Sequence, residues 1–74
     1  MEPRDIFAIN LRERRTAAGL SQEALGKLSG MHFTEISRLE RAQRDPRLGT
    51  IVKLARALNT TSSELLAGVD TPSA

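Results

Sequence analysis

The residues of this sequence best equipped for chemistry are its cations, and they are unevenly placed. Of eleven Lys and Arg, six fall between positions 38 and 56: Arg38, Arg41, Arg44, Arg47, Lys53 and Arg56. No cation follows Arg56, whereas Glu64 and Asp70 do. A basic middle and an acidic end suit a chain that lays its middle against phosphates. The net charge is only +2, so an ordinary solvated charged face stays open on composition alone. Catalysis has no comparable foothold. No nucleophile-base pair, metal cluster or phosphate loop occurs at a workable spacing, and the nine carboxylates are scattered. The single histidine, His32, cannot assemble a metal site alone, and the absence of Cys removes disulfides and thiolate zinc sites. The expectation is a protein that is not an enzyme and needs no cofactor, metal or small-molecule ligand.

The elements that must position these cations are helical. Seventy-four residues make one domain, near the size at which a single core of packed aliphatics just suffices. Apolar residues recur at helical spacing, which predicts an all-α fold. A first helix is expected over about residues 5 to 18, with Phe7, Leu11 and Ala18 on one side and Gly19 ending it. Ser21 then caps a short helix that stops at Gly30. A third helix follows a tight turn, with Ile36 and Leu39 as its buried seam and Met31 entering the same core. Asp45-Pro46 reads as an N-cap with proline at the first helical position, opening a helix that carries Leu48, Ile51, Leu54, Ala55 and Leu58 and ends at Asn59. Thr61 to Glu64 has capping-box spacing for a fifth helix of about two turns closed by Gly68. The expected organisation is one domain over residues 1–68 and a flexible tail over 69–74. No apolar run approaches the roughly 20 residues that span a bilayer, and Met1-Glu2-Pro3-Arg4-Asp5 is not a signal peptide, so a cytoplasmic protein without a membrane partner is expected.

Two short helices joined by a tight turn at Gly30, the second polar on its outward side, are what a DNA-reading helix-turn-helix requires, here about residues 21–41. The segments Leu20-Ser21-Gln22-Glu23-Ala24-Leu25-Gly26, Ile36-Ser37-Arg38-Leu39-Glu40-Arg41, Pro46 and Leu54-Ala55-Arg56-Ala57-Leu58 resemble the Cro/Xre-type, lambda-repressor-like helix-turn-helix family across about residues 6 to 67. The resemblance implies a compact five-helix domain, usually dimeric, that regulates transcription on double-stranded DNA.

Carried onto this sequence, the resemblance puts Gln22 against a phosphate, supported by the exposed amides of a helix N-terminus; a solvent-exposed first helical residue is the bland alternative. The third helix would place His32, Phe33, Thr34, Ser37 and Arg38 nearest the bases. Arg38 suits two hydrogen bonds to guanine or a phosphate contact, and Thr34 a base edge or a thymine methyl. Phe33 either meets a thymine methyl or folds back on the core, and His32 either reaches phosphate or only caps the helix. Glu35 either returns to the amides at the helix start, the favoured reading, or accepts from cytosine N4. Arg41, Gln43, Arg44 and Arg47 are assigned to phosphates, and Arg15 with Glu40 to a structural ion pair. Gly26 stands where the family usually has Ala, and Ala42 where it usually has a left-handed Gly, which leaves open whether the helix runs on past that point.

One such domain covers little DNA, so a homodimer on two half-sites roughly 34–36 Å apart is expected, its interface placed at Leu65, Leu66 and Val69. The function expected is a sequence-specific transcription regulator, a repressor or small controller protein. The rival is a protein-interaction module such as an antitoxin subunit or a coactivator-like adaptor.

Overall fold

Aliphatic residues at helical spacing close around one core in the computed structural model, which describes residues 1–70. Five helices form, α1 (Pro3–Ala17), α2 (Gln22–Ser29), α3 (Phe33–Glu40), α4 (Leu48–Ala57) and α5 (Ser62–Leu65), with no strand among the described residues. α3 packs on α1 and α2, α4 backs α2, and α5 closes against α1 and α4. Every helix contributes to the core: Phe7 and Leu11, Leu25, Ile36 and Leu39, Ile51, Leu54 and Ala55, and Leu65. Each large side chain withdrawn from water contributes about 1.5–3 kcal/mol, which is why so short a chain can hold α3 in place. Met31 and Leu20 pack against this cluster from the connecting turns.

Several boundaries differ from the expectation, each for a local reason. α1 starts earlier, at Pro3, because the Glu2 amide donates to the Asp5 carboxylate at 2.8 Å and Pro3 occupies the first turn, where its missing N–H is harmless. Ala18 is the C-cap and is exposed rather than packed. α4 starts later than Asp45-Pro46 implies. Arg47 is its N-cap in extended conformation, and the half-buried Pro46 ring packs in the loop instead of opening the helix. Leu48 therefore sits on the first turn with 75% of its surface exposed, outside the core.

α5 is a single turn rather than two. Its capping half is present, with the Glu64 amide donating to Thr61 Oγ1 at 3.2 Å, but the Glu64 carboxylate turns to Arg14 at 2.8 Å. The side-chain amide of Asn10 donates to the carbonyls of Leu65 and Ala67, both at 2.9 Å, so α1 ties down the chain where α5 ends. Val69 is half-buried and Asp70 exposed; the rest of the expected tail, 71–74, lies outside the described residues. No helix among the described residues is long and apolar enough to cross a membrane.

Candidate nucleic-acid interface

The turn between α2 and α3 is tight because two glycines allow it. Gly30 adopts φ +73, a left-handed conformation open to glycine at little cost. Gly26 is buried where a Cβ would lie 2.6 Å from the Met31 carbonyl oxygen and 3.4 Å from the Phe33 amide. Absence of a side chain there lets the start of α3 approach α2. Ser21 caps α2 by accepting the Ala24 amide at 3.0 Å. His32 caps α3: its Nδ1 accepts the Thr34 amide at 3.2 Å. Among the described residues Glu35 makes no side-chain hydrogen bond, so the expected return of its carboxylate to the start of α3 does not occur.

α3 is locked to the body by a charged junction. Arg15 Nε donates to Glu40 Oε2 at 2.6 Å and Arg15 Nη2 to Glu40 Oε1 at 3.0 Å, with the two side chains 13% and 4% exposed. Arg15 Nη1 also donates to the Leu20 carbonyl at 2.8 Å. Hydrogen bonding to Glu40 raises the Arg15 pKa above its ordinary value; burial opposes this, and the Glu40 charge adds a smaller push upward. Gln22 joins the junction, its Nε2 donating to Glu40 Oε1 at 3.1 Å. Thus the first residue of α2 is anchored rather than free in solvent, with its second amide hydrogen uncommitted among the described residues.

The end of α3 has the form expected of glycine, built with alanine. Ala42 takes φ +56, its amide donates to the Leu39 carbonyl at 3.1 Å, and the Gln43 amide donates to the Arg38 carbonyl at 2.9 Å. These two bonds satisfy carbonyls the helix leaves open, so α3 does not run on. The loop that follows brings Arg44, Asp45, Pro46 and Arg47 round to face Glu35 and Leu39 of α3 and Thr50 and Lys53 of α4 across an open cleft of about 670 Å³. Arg38, Arg41, Arg44, Arg47 and Lys53 are all exposed, and none forms an ion pair with another described residue. Arg41 leans on α3, its Nε donating to the Ser37 carbonyl at 3.4 Å.

Beside these cations α3 turns outward a face that the core does not use. Ile36 and Leu39 are buried, whereas His32, Phe33, Thr34, Glu35 and Arg38 are exposed and Ser37 is half-buried. Phe33 remains 41% exposed and stacks on the His32 ring, with centroids 4.8 Å apart, instead of folding onto the core.

Comparison with known proteins decides what this arrangement is. A model of the helix-turn-helix family, described as Helix-turn-helix, matches residues 11–65. The chain belongs to the helix-turn-helix family. It is 44% identical over 66 residues to the control protein C.SmaI of Serratia marcescens, covering 89% of this chain and 79% of that one. The crystal structure of the restriction-modification controller protein C.AhdI from Aeromonas hydrophila superposes with a TM-score of 0.82 at 47% identity, over 84% of this chain and 94% of its own. That of the hypothetical transcription factor NHTF from Neisseria gives a TM-score of 0.84 at 35% identity, over 88% and 75%. This helix-turn-helix protein is a DNA-binding transcriptional regulator, and its family is not a class of enzymes.

Within the helix-turn-helix protein, the residues singled out from sequence fall in two places. His32, Phe33, Thr34, Glu35 and Arg38 share the outer side of α3, and Arg44 and Arg47 border the adjoining cleft. Leu65, expected at a subunit interface, does not lie on the surface. It is fully buried in the domain's own core, at 0% exposure, so its side chain has no surface to offer a partner. Leu66 and Val69 are half-buried and line a separate groove of about 480 Å³ with Phe7, Pro46 and Ile51. Sequence reading missed Thr50 at the cleft and Asn10 beneath α5, and counted Lys53 among the central cations without giving it a contact. Thr50 and Lys53 are three apart on α4 and lie off its buried Ile51-Leu54-Ala55 stripe, a spacing that carried the signal.

Proposed function

We propose that this regulator is of the controller type, reading duplex DNA by inserting α3 into the major groove, and that it acts as a homodimer on an operator of two half-sites. One observation carries the reading: α3 buries only Ile36 and Leu39 and is anchored by Arg15 and Glu40, while its remaining face stands exposed beside a loop of unpaired cations. A rigid helix with a polar outer face and flanking cations combines base readout with backbone grip. Thr34 and Arg38 are the principal base readers, with His32, Phe33, Glu35 and Ser37 at the margins. Arg41, Gln43, Arg44 and Arg47 hold phosphates, joined by Gln22 through the amide hydrogen that Glu40 leaves uncommitted. Lys53 extends this grip from α4. Leu66 and Val69 supply apolar surface for the second copy. The relatives named control and controller proteins favour the same reading.

The test is fluorescence anisotropy on labelled duplexes at several salt concentrations, followed by the stoichiometry of the best site. Neutralising Arg44 or Arg47 singly is expected to weaken binding on all sequences alike and to flatten the slope of log K against log salt by about one unit each. Sequence-selective losses would overturn the phosphate assignment. Binding of one chain per operator, with light scattering showing a monomer free and bound, would remove the dimer.

A further inference from the structure

The start of α3 contains a hydrogen-bond arrangement that fixes what Thr34 can say to a base. His32 Nδ1 lies 3.2 Å from the Thr34 amide nitrogen and 2.7 Å from Thr34 Oγ1. A backbone amide can only donate, so the Nδ1 that receives it carries no hydrogen, and in the neutral ring the hydrogen sits on Nε2. A bare Nδ1 at 2.7 Å from a hydroxyl oxygen requires the hydroxyl to donate, because two lone pairs repel. The ring is held in this orientation by its stack on Phe33, at 27° between planes. The only hydrogen of the Thr34 hydroxyl is thereby spent inside the protein. What it presents outward is acceptor lone pairs and a methyl group.

We infer that His32 is a positioning residue for specificity: it makes Thr34 an acceptor-only reader, selecting a base that carries an amino group, adenine N6 or cytosine N4, over the keto edges of guanine and thymine. This rests on the reading above that α3 lies in the major groove with Thr34 at the base edges. In that groove adenine and cytosine each offer an N–H donor, whereas guanine and thymine offer only acceptors there, apart from the thymine methyl. An acceptor facing an acceptor leaves both unsatisfied, so selection comes from the mismatch as much as from the match. A free threonine hydroxyl, able to donate or accept, would not discriminate in this way.

The experiment is selection of bound sites from random duplexes by the full chain, with folding of each variant checked by circular dichroism. Thr34→Val, which keeps the shape and loses the hydroxyl, identifies the position that Thr34 reads as the one whose preference changes. Every base pair sets an amino base against a keto base, so the strand Thr34 faces is assigned by deleting the exocyclic amino group, purine for adenine or 2-pyrimidinone for cytosine. On that strand the deletion is expected to weaken the wild type about two- to tenfold and Thr34→Val not at all. His32→Gly, a residue tolerated at an N-cap, removes Nδ1 and releases the Thr34 hydroxyl, and is expected to reduce the amino-over-keto preference about two- to tenfold, the worth of one hydrogen bond. His32→Asp offers only acceptors, so the base preference is expected to persist even as overall affinity falls from the added negative charge.

Amino deletion that weakens the wild type no more than Thr34→Val on either strand, or an unchanged preference in His32→Gly, overturns the inference. So does a Thr34→Val variant that selects the same sites. The groove reading fails differently: substitutions of Thr34 and Arg38 would then both leave site selection untouched, which also ends the inference built on it.

Discussion

Replacing Ala42 by glycine should stabilise this protein, and the size of the gain follows from one backbone angle. Ala42 sits at φ +56, where an L-residue brings its Cβ against neighbouring backbone at a cost of about 1–2 kcal/mol. Glycine relieves that strain, but its freer unfolded chain takes back about 0.5–1 kcal/mol. The hydrogen bonds from the Ala42 and Gln43 amides to the Leu39 and Arg38 carbonyls involve only backbone and survive the change. The net expectation is a gain of about 0.5–1 kcal/mol, or about 2–8 °C in Tm for a domain of this size. Urea and thermal unfolding followed by circular dichroism, at one fixed protein concentration because self-association shifts apparent stability, provide the measurement. Asn59, at φ +54, supplies an internal comparison: asparagine tolerates the left-handed region better, so Asn59→Gly should gain less. A loss of stability in Ala42→Gly would refute the reasoning, since that is the outcome when residue 42 occupies an ordinary right-handed conformation and glycine contributes only its entropy.

Gly26→Ala is expected to act in the opposite sense. Alanine improves helix propensity by about 1 kcal/mol, yet its methyl would meet the Met31 carbonyl oxygen at 2.6 Å, and overpacking of this kind costs about 1–3 kcal/mol. Urea midpoints should show a net loss, and a gain would mean that the turn relaxes freely. Glu40→Ala should destabilise by about 3–5 kcal/mol by leaving Arg15 charged and partly buried, and a double-mutant cycle with Arg15→Ala should show coupling of about 1–3 kcal/mol. Additive losses in that cycle would deny the junction its role. Leu65→Ala should cost about 2–5 kcal/mol through a core cavity, equally at all protein concentrations. A cost that grows on dilution would instead return Leu65 to a subunit interface.

Much of the fold was legible because its signals are local. Ser21 before α2, glycines at 19 and 30, and apolar residues three and four apart in α1, α3 and α4 depend only on backbone geometry and on which side of a helix is dry. Boundaries went astray where a distant residue intervened. Pro46 reads equally well as a helix start or a loop residue, and in the structure it is a half-buried loop residue ahead of the Arg47 cap. α5 reads as two turns until Asn10, far away in sequence, takes the carbonyls at its end. Glu35 has capping-box spacing, yet its carboxylate makes no hydrogen bond, and the cap of α3 comes instead from His32, whose type is unusual for that task.

What the sequence determined by itself is the class of the molecule: a small all-α helix-turn-helix regulator whose α3 carries polar residues outward beside a cluster of cations. Spacing and charge suffice for that, because a helix face and a basic stretch are properties of neighbours along the chain. The tertiary structure alone decided which groups are spent inside and which are left for DNA. It buried Leu65, joined Gln22 to Glu40, placed Lys53 at the cleft and brought the His32 ring onto the Thr34 hydroxyl. Those outcomes depend on distances of a few ångströms between side chains, set when the helices pack and their polar groups find partners, and no pattern along the chain encodes them.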